Sequence, residues 1–420
     1  MRVDDNANAK EERASLSLPD FLCDGSKAPP IYYVDTSHLN INDFSDQAAV
    51  CRSLREALSR AWPHSIEGQV LAKIHTGESK SETSMRPAYV AASADFARNQ
   101  GASSVVAGDT TVAYTGPRGH KKNPRKNADA YLELADSRGW CREGPAGMPF
   151  VVLDRPCTAV PGEFEFQRRR KVLKLEGVER FDDFFLSGGF AAADMTINHA
   201  HLTLHGLAGV AGCVKSMAMG CSALRGKLRM HKSLLPVFDP ERCITCGSCV
   251  DNCPQGALEL DEDDETPEVT PEICIGCGEC EAVCAAIREA VHLENKEVTD
   301  WERGRDTLPL RMADYTAGLM QGRWHKVLHV LHMYDVTERC DCLNVEQEPM
   351  IDRSLGFLVG TNPFAIDRLG GKMLAEALDK SDIETDEWML STARTSADYA
   401  AETYGILPET DLQTISLSRS

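Results

Sequence analysis

Cys243-Ile-Thr-Cys246-Gly-Ser-Cys249-Val-Asp-Asn-Cys253-Pro254 is followed later in the chain by Cys274-Ile-Gly-Cys277-Gly-Glu-Cys280-Glu-Ala-Val-Cys284. Both stretches space their cysteines as C-x2-C-x2-C-x3-C, the pattern through which four thiolates hold a cubane [4Fe–4S] cluster. A zinc ribbon would instead show cysteine pairs separated by longer gaps. The repeated run therefore predicts two [4Fe–4S] clusters as cofactors.

The fourth cysteine of each run is expected to ligate the other cluster, as in proteins with two such clusters. One predicted cluster is bound by Cys243, Cys246, Cys249 and Cys284. The other is bound by Cys274, Cys277, Cys280 and Cys253. The segment closely resembles bacterial two-cluster ferredoxins, which implies a small α+β ferredoxin-type domain. It departs from them at Ala285, because the turn-fixing proline that follows the first run as Pro254 is missing after the second.

Composition places the chain among ordinary globular proteins. It has 420 residues, enough for two or three domains, with 42% hydrophobic and 26% charged residues. A formal net charge of −19 argues against a nucleic-acid partner or an anionic membrane surface. The same charge suits a basic redox partner, or solubility alone.

The chain shows no signal for a membrane or for secretion. No apolar run approaches the length of a membrane span, and residues 1–20 are polar and charged, without the apolar core of a signal peptide. Sixteen cysteines without such a signal indicate a reducing compartment, where thiols are kept for metal. We therefore predict a cytoplasmic protein.

Apolar strand patterns alternate with helix patterns before and after the cysteine runs. The predicted strands cover residues 31–34, 69–74, 103–107, 149–154, 194–198, 326–333 and 356–359. Predicted helices begin near residues 45, 86, 123, 299 and 362. This order is typical of an α/β fold with a mostly parallel sheet flanked by helices, whose sites lie at the carboxyl ends of the strands. His75, Asp109 and Asp154 stand at such ends.

The pattern resumes after the cysteine runs, so the ferredoxin-type domain is predicted to interrupt one discontinuous α/β domain. The predicted parts are a disordered segment 1–28, the α/β domain 29–235 and 297–380, the domain 236–296 between them, and a tail 381–420 without a clear hydrophobic period. Residues 236–296 are called the cysteine-rich module below.

The order of motifs over about residues 30–378 resembles the DUF362 family of iron–sulfur proteins. The matching residues are Asp194 to Asn198, His205-Gly206, Gly212-Cys-Val-Lys215, Met219-Gly220-Cys221, Lys227, His231, Cys340-Asp341-Cys342, Ile351-Asp352, Gly356 and Asn362-Pro363-Phe-Ala-Ile-Asp367. Ser216 stands where many relatives have asparagine. The resemblance implies a single α/β unit and names no substrate.

A second resemblance concerns the glycine-rich segment from His205 to Lys215. It is similar to the histidine–glycine–lysine segment of lactate racemases, where the lysine carries a nickel-pincer cofactor. This similarity implies a cofactor or substrate site at Lys215, and we do not predict the nickel cofactor. Gly206, Gly209 and Gly212 could let the backbone approach an anionic ligand closely, or they could serve tight turns and helix packing.

A cubane with four protein thiolates has no open iron site, so any substrate pocket must come from the α/β domain. Lys215 could supply a point charge or an amine nucleophile, and His201 and His205 could transfer protons. With Cys221 and Asp341 they form the predicted catalytic set. Cys213, Cys221, Cys340 and Cys342 could form a third metal site or a redox thiol pair, although buried structural thiols are the commoner case.

Three functions remain open from the sequence. The first is a reductase in which two clusters relay electrons from an external donor or acceptor protein to a small-molecule substrate in the α/β domain. The second is an electron-transfer or adaptor protein without a substrate of its own. The third is a protein whose clusters only stabilise the fold. A ligand-sized pocket beside the clusters would favour the first.

Overall fold

The computed structural model describes residues 12–25, 29–39, 44–112, 116–119, 124–166, 171–231, 234–253, 256–261, 263–271, 274, 276, 279–285, 287–295 and 307–417. Of the predicted cluster ligands, Cys277 lies outside these residues. So do the first eleven residues of the predicted N-terminal segment.

An eight-stranded sheet forms the centre of the molecule, and only its strands are numbered here. They are β1 (Ile31–Val34), β2 (Gln69–Lys73), β3 (Ser104–Asp109), β4 (Phe150–Val152), β5 (Met195–His201), β6 (Val327–His332), β7 (Phe357–Gly360) and β8 (Leu412–Ile415). Their order across the sheet is β8-β1-β7-β6-β5-β2-β3-β4. Neighbours run parallel except where β7 pairs with β6 and β1, so the predicted mostly parallel α/β sheet is confirmed.

Helices cover both faces of this sheet. Those of eight residues or more are Phe44–Ala61, Pro87–Asn99, Pro124–Ser137, Leu224–His231, Thr307–Leu319, Pro363–Asp379 and Glu387–Tyr404. The shorter ones are Asp20–Cys23, Gly188–Ala192, Cys213–Ala218, Ser248–Asp251 and Glu279–Ala285, with 3₁₀ turns at Pro156–Thr158 and Trp324–Lys326. None of the helices in the described ranges is long and apolar enough to cross a membrane.

The period of two along each strand decides which face a side chain joins. On β2, Val70 and Ala72 belong to the same buried cluster as Leu54 and Phe96, which lie on the helices of one face. Leu71 points to the other face, into the cluster that contains Met217 and Met312. Strands buried on both faces are apolar throughout, which is why the sequence pattern revealed them.

The C-terminal segment differs from the predicted tail. Glu387–Tyr404 is a helix whose Asp386 side chain caps the N–H of Trp388, and β8 then extends the sheet beside β1. The buried face of this helix is formed by small side chains, among them Ala393, Ala397 and Ala400. Alanine contributes little to a hydrophobic period, so the pattern gave no signal.

The described part of the N-terminal segment contains one strand and one short helix. Glu12–Ser15 pairs in parallel with Lys171–Glu176, which pairs in turn with Asp183–Leu186. Leu22 is buried, and its carbonyl accepts the N–H of Leu407.

The cysteine-rich module forms a small α+β unit in its described part. Leu234–Phe238 pairs antiparallel with Val291–Asn295, and Leu258–Glu259 pairs with Glu268–Val269. The chain therefore enters and leaves the module through adjacent strands. Its two short helices, Ser248–Asp251 and Glu279–Ala285, each carry predicted cluster cysteines.

Asp367, on the long helix after β7, holds the start of the short helix that begins at Cys213. Its Oδ1 accepts the N–H of Cys213 at 2.6 Å, and its Oδ2 accepts the N–H of Val214 at 2.8 Å. A Cβ at Gly212 would lie 2.4 Å from Oδ1, so only glycine fits there. The carboxylate therefore satisfies two helix N–H groups that would otherwise be buried without acceptors.

We predict that Asp367→Ala lowers the free energy of unfolding by about 2–4 kcal/mol, because two buried N–H groups lose their acceptor. The measurement is anaerobic urea unfolding followed by circular dichroism. Asp379→Ala, an exposed position on the same helix, is the control and should change stability by less than about 0.5 kcal/mol. Equal midpoints for the two variants would show that the cap contributes nothing.

Candidate functional site

A cavity of about 170 Å³ lies at the carboxyl ends of the central parallel strands. It is lined by His75 after β2, Asp109 at the end of β3, His201 at the end of β5 and Asp341 in the loop after β6. Parallel strands bring their carboxyl ends to one edge of the sheet, so residues far apart in sequence meet here. Asp154, after β4, lies outside this lining and accepts hydrogen bonds from Thr111.

The opposite wall comes from the chain between β5 and β6. It includes His205 of the hairpin Thr203–His205/Gly209–Ala211, Lys215, Lys227 and His231 of the two following helices, and Glu281 and Leu293 of the cysteine-rich module. The module and the α/β body therefore enclose one cavity together.

A buried ion network occupies one side of the cavity. Asp109 pairs with Lys73 (Oδ1 to Nζ, 3.1 Å) and with Arg118 (Oδ2 to Nη2, 3.0 Å), and it accepts the hydroxyl of Tyr131 at 2.7 Å. Arg118 also pairs with Glu78 at 2.9 Å. Burial alone would raise the pKa of Asp109, but Lys73 and Arg118 hold this pKa well below its ordinary value. The carboxylate is charged and saturated, so it acts as a support for the cavity.

His201 and Asp341 form a buried ion pair. The His201 Nδ1 lies 2.7 Å from Asp341 Oδ2, and Nε2 lies 2.7 Å from the carbonyl oxygen of Tyr334. Both partners are acceptors, so both ring nitrogens donate and the ring is an imidazolium. Burial opposes this charge, but Asp341 raises the pKa of His201 above its ordinary value.

The second carboxylate oxygen of Asp341, Oδ1, takes no part in this ion pair. Oδ1 is buried and has no hydrogen-bond partner among the described residues. Since Asp341 lines the cavity, this oxygen can accept a donor from a bound molecule. His201 fixes the orientation and charge of Asp341, and its predicted role in proton transfer stays a prediction.

Lys215 is desolvated in the cavity. Burial lowers the pKa of its ammonium to about 7, although Asp341 opposes the shift. Its Nζ lies 3.1 Å from Cys340 Sγ and 3.8 Å from Cys342 Sγ. Near neutral pH this amine can therefore act as a proton donor, a base or a nucleophile.

His205 faces the same sulfur atoms as a neutral ring. Burial, together with the charge of Lys215, lowers its pKa well below the ordinary value. Its Nδ1 accepts the N–H groups of Leu207 at 3.1 Å and Ala208 at 3.3 Å, so the ring proton lies on Nε2.

His205, Cys340 and Cys342 place their donor atoms within 4.8 Å of one another, a group that could hold a metal ion. In this structure the two sulfur atoms are joined as a disulfide. A metal-bound imidazole normally donates from its other ring nitrogen, whereas Nδ1 of His205 is an acceptor. The oxidised arrangement therefore fits a metal poorly.

Two glycines of the His205–Lys215 segment allow tight turns and close packing, which was one of the two roles considered from the sequence. Gly209 has a positive φ of 65°, and a Cβ there would lie 2.1 Å from Thr392 Oγ1. Gly212 makes room for Asp367, as described above. Gly206 has open space around its Cα.

The remaining cysteines of the α/β body lie apart from the cavity. Cys221, predicted as catalytic, is fully buried with its Sγ 3.9 Å from Met217 Sδ, and burial raises its thiol pKa to about 12. Cys221 does not line the cavity. Cys213, which was predicted to join the same group of cysteines, is buried in the core and does not line the cavity either. The predicted group of four cysteines thus separates into a pair at the cavity and two core thiols.

The cysteine-rich module gathers predicted ligands of one cluster. A hollow in the module is lined by Cys243, Cys246, Cys249 and Cys284, the set predicted by crossing between the two runs. The N–H of Ala290 donates to Cys284 Sγ, and that of Ala257 to Cys253 Sγ, both at 3.2 Å. Hydrogen bonds of this kind to sulfur stabilise cluster thiolates, so the donor set fits an iron–sulfur cluster.

Several cavity residues were missed by the sequence analysis. Lys73 is a charged residue at the end of an apolar strand, which was a usable signal, and Lys227 appeared only as part of a family resemblance. Lys227 donates to Thr110 and Thr111, and burial lowers its pKa to about 8. Arg118 and Glu281 carried no local pattern.

We predict that Lys215 reacts with acetic anhydride with a rate midpoint near pH 7, because burial favours its neutral amine. Pulse labelling over a pH series with peptide mass spectrometry gives the midpoint. Lys215→Met is the control, because mass spectrometry should then find no acetylation at this position at any pH. A labelling rate at Lys215 that rises only in strongly alkaline solution would contradict the prediction.

Comparison with known proteins identifies the family. The family model described as "Domain of unknown function (DUF362)" matches residues 70–372. No curated protein matches the chain significantly. Among solved structures, the chain is similar to the lactate racemase apoprotein from Thermoanaerobacterium thermosaccharolyticum, with a TM-score of 0.36 and 10% identity. This likeness covers 86% of the present chain, which spans 59% of the racemase chain, and it carries no argument about function. The family match extends over more than half of the sequence, so the chain belongs to the DUF362 family.

Proposed function

We propose that this protein binds two [4Fe–4S] clusters in its cysteine-rich module and reduces a small molecule in the cavity of its α/β domain. The observation that carries the proposal is the shared wall of that cavity. Glu281 and Leu293 of the module line it together with Lys215 and Asp341 of the α/β body. Glu281 follows the predicted ligand Cys280 directly in the sequence.

The ligand sets are supported by the hollow that Cys243, Cys246, Cys249 and Cys284 line together. Cys274, Cys277, Cys280 and Cys253 would hold the second cluster. When bound, the clusters would supply electrons one at a time at low potential, which favours reduction over oxidation of a substrate. Sixteen cysteines support a reducing, cytoplasmic setting for this chemistry.

The chain's own side chains would bind the substrate and move its protons. Asp341 presents a carboxylate oxygen, Oδ1, that has no hydrogen-bond partner in the described part of the chain, and His201 holds the other oxygen in place. Lys215, with a pKa of about 7, can give or take a proton near neutral pH. A cavity of about 170 Å³ suits a small molecule rather than a polypeptide.

An external electron carrier would dock on the module. Ile244 and Ile287 are about half exposed, and both line the hollow formed by the first set of ligands. Cys246, in the same hollow, is exposed as well. An apolar pair beside an exposed ligand is suited to brief contact with a redox protein, and the acidic chain favours a basic one.

The alternative is an electron-transfer or adaptor protein without a substrate. The exposed isoleucine pair suits that function equally well. The cavity favours the enzyme, because an adaptor has no need of a desolvated lysine and an unpaired carboxylate oxygen in a pocket.

We predict about eight irons per chain in anaerobically purified protein, because two cubanes hold four irons each. Cys246→Ser should remove about four of them and weaken one signal in electron paramagnetic resonance of the reduced protein. Cys157→Ser, an exposed cysteine outside the module, is the control and should keep all the iron. Zinc in place of iron, or full iron in Cys246→Ser, would refute the ligand assignment.

We predict that Ile244→Ser with Ile287→Ser slows electron transfer to cytochrome c, a small basic haem protein, by about tenfold or more. Such a loss corresponds to about 1.4 kcal/mol of apolar docking contact. Haem absorbance reports the rate after dithionite reduction and desalting of the protein. Reduction of ferricyanide, which needs no docking surface, should be unchanged.

Leu412→Ser is the matched control, because Leu412 is equally exposed but lies on β8, outside the module. Its cytochrome c rate should equal that of the unmodified protein. Equal rates for all three proteins, with intact iron content, would remove the proposed docking surface.

A further inference from the structure

The loop after β6 carries a disulfide inside the cavity. Cys340 and Cys342 are joined by an S–S bond, with Asp341 between them, and all three residues line the cavity. A cross-link between residues two positions apart closes a very short loop, so it restricts the unfolded chain little and stabilises the fold little. Disulfides of proteins in reducing compartments are usually transient and catalytic or redox-sensing.

The two sulfur atoms have different surroundings. Cys340 is 4% exposed, and its Sγ accepts the Lys215 ammonium at 3.1 Å and the N–H of Cys342 at 3.4 Å. Cys342 is half-buried, and its Sγ lies farther from Lys215, at 3.8 Å. The geometry thus distinguishes an accessible sulfur from a sulfur held beside a cation.

We propose that Cys340 and Cys342 form a redox-active pair in which Cys342 exchanges with a small disulfide or thiol in the cavity and Lys215 stabilises the Cys340 thiolate. The inference rests on the proposed function for its electron source in the cell, and it adds the substrate class. A cavity of about 170 Å³ limits that class to small-molecule disulfides, because a protein disulfide would not enter.

The pair is reduced by two successive thiol–disulfide exchanges. A thiolate attacks Cys342 Sγ, a mixed disulfide forms, and the bond to Cys340 Sγ breaks. The electron pair of that bond stays on Cys340 Sγ as a thiolate beside the Lys215 ammonium. A second thiol releases Cys342, which takes a proton from water, so two thiols become one disulfide while the pair gains two electrons. The reverse sequence reduces a disulfide substrate.

Lys215 suits this step in both directions. Its amine is close to half protonated at neutral pH, because burial lowers its pKa to about 7. A thiolate formed at 3.1 Å favours the ammonium form, so bond cleavage and proton uptake at Nζ assist each other. A thiolate with a neighbouring cation is also the better leaving group.

The test equilibrates the full-length protein anaerobically with mixtures of reduced and oxidised dithiothreitol. Acid quenching, alkylation under denaturing conditions and tryptic digestion follow. The tryptic peptide 340–353 lies between Arg339 and Arg353 and contains no cysteine other than Cys340 and Cys342. Mass spectrometry of this peptide gives the ratio of dithiol to disulfide, independently of any turnover.

The expected result for the unmodified protein is a reversible change from no added alkyl group to two on this peptide. Lys215→Met should lower the dithiol-to-disulfide ratio about threefold to tenfold at pH 7, because the Cys340 thiolate loses its cation. The effect should vanish near pH 5, where the Cys340 thiol is protonated in both proteins. Lys380→Met, at an exposed position, should match the unmodified protein at both pH values.

Three outcomes would overturn the inference. The first is a peptide that never forms the disulfide at any dithiothreitol ratio. The second is an equal ratio for Lys215→Met and the unmodified protein at pH 7. The third is a bound metal ion that is lost in Cys342→Ser. Iron content separates this failure from that of the proposed function, because the cluster ligands lie in the module and should keep about eight irons in every variant.

Discussion

The joint contact of Asp109 with Lys73 and Arg118 fixes the electrostatics of the cavity. A buried carboxylate is tolerated only when it is matched by charge and hydrogen bonds, and here two cations and a phenol share it. Arg118 would leave an excess positive charge, but Glu78 balances it. The four charges cancel within one side of the cavity, so they hold β2, β3 and the following loops together without attracting a ligand.

Among the residues that the structure describes, this balance leaves Lys215 as a cation whose charge is not matched by a carboxylate contact. Asp341 is the acidic neighbour that raises the pKa of Lys215, but its own charge is already matched by the His201 imidazolium. The nearest partners of the ammonium are then the sulfur atoms of Cys340 and Cys342, which are neutral while joined. Burial therefore lowers the pKa of Lys215 more than the attraction of Asp341 raises it, and the amine titrates near neutral pH. A second carboxylate beside Lys215 would have kept it permanently charged and useless as a proton carrier.

Most strands of the sheet could be predicted from the sequence, but little of this charge balance could. Apolar strands and the start of the helix near residue 362 are local signals, because their cause lies within a few residues, and the structure confirms them. The helix Glu387–Tyr404 was not predicted, because alanine packs tightly without producing a hydrophobic period. Lys73 and Arg118 meet Asp109 only after the strands have been ordered across the sheet, so no spacing in the chain announces the pairing. Gly212 was recognised as part of a motif, but its reason is a carboxylate on a helix far along the chain.

Chain topology explains why a cysteine-rich module can border the cavity at all. β5 and β6 are parallel neighbours, so their connection must leave the carboxyl end of β5 and return to the amino end of β6. The module is inserted in this connection after the short helices that carry Lys215 and Lys227, before the helix Thr307–Leu319 leads the chain back. An insertion at that point begins at the edge of the sheet where the carboxyl ends of the strands meet. The handedness and direction of the crossover then place the inserted module over the cavity. The contact of Glu281 and Leu293 with the cavity is thus a consequence of the connection in which the module is inserted.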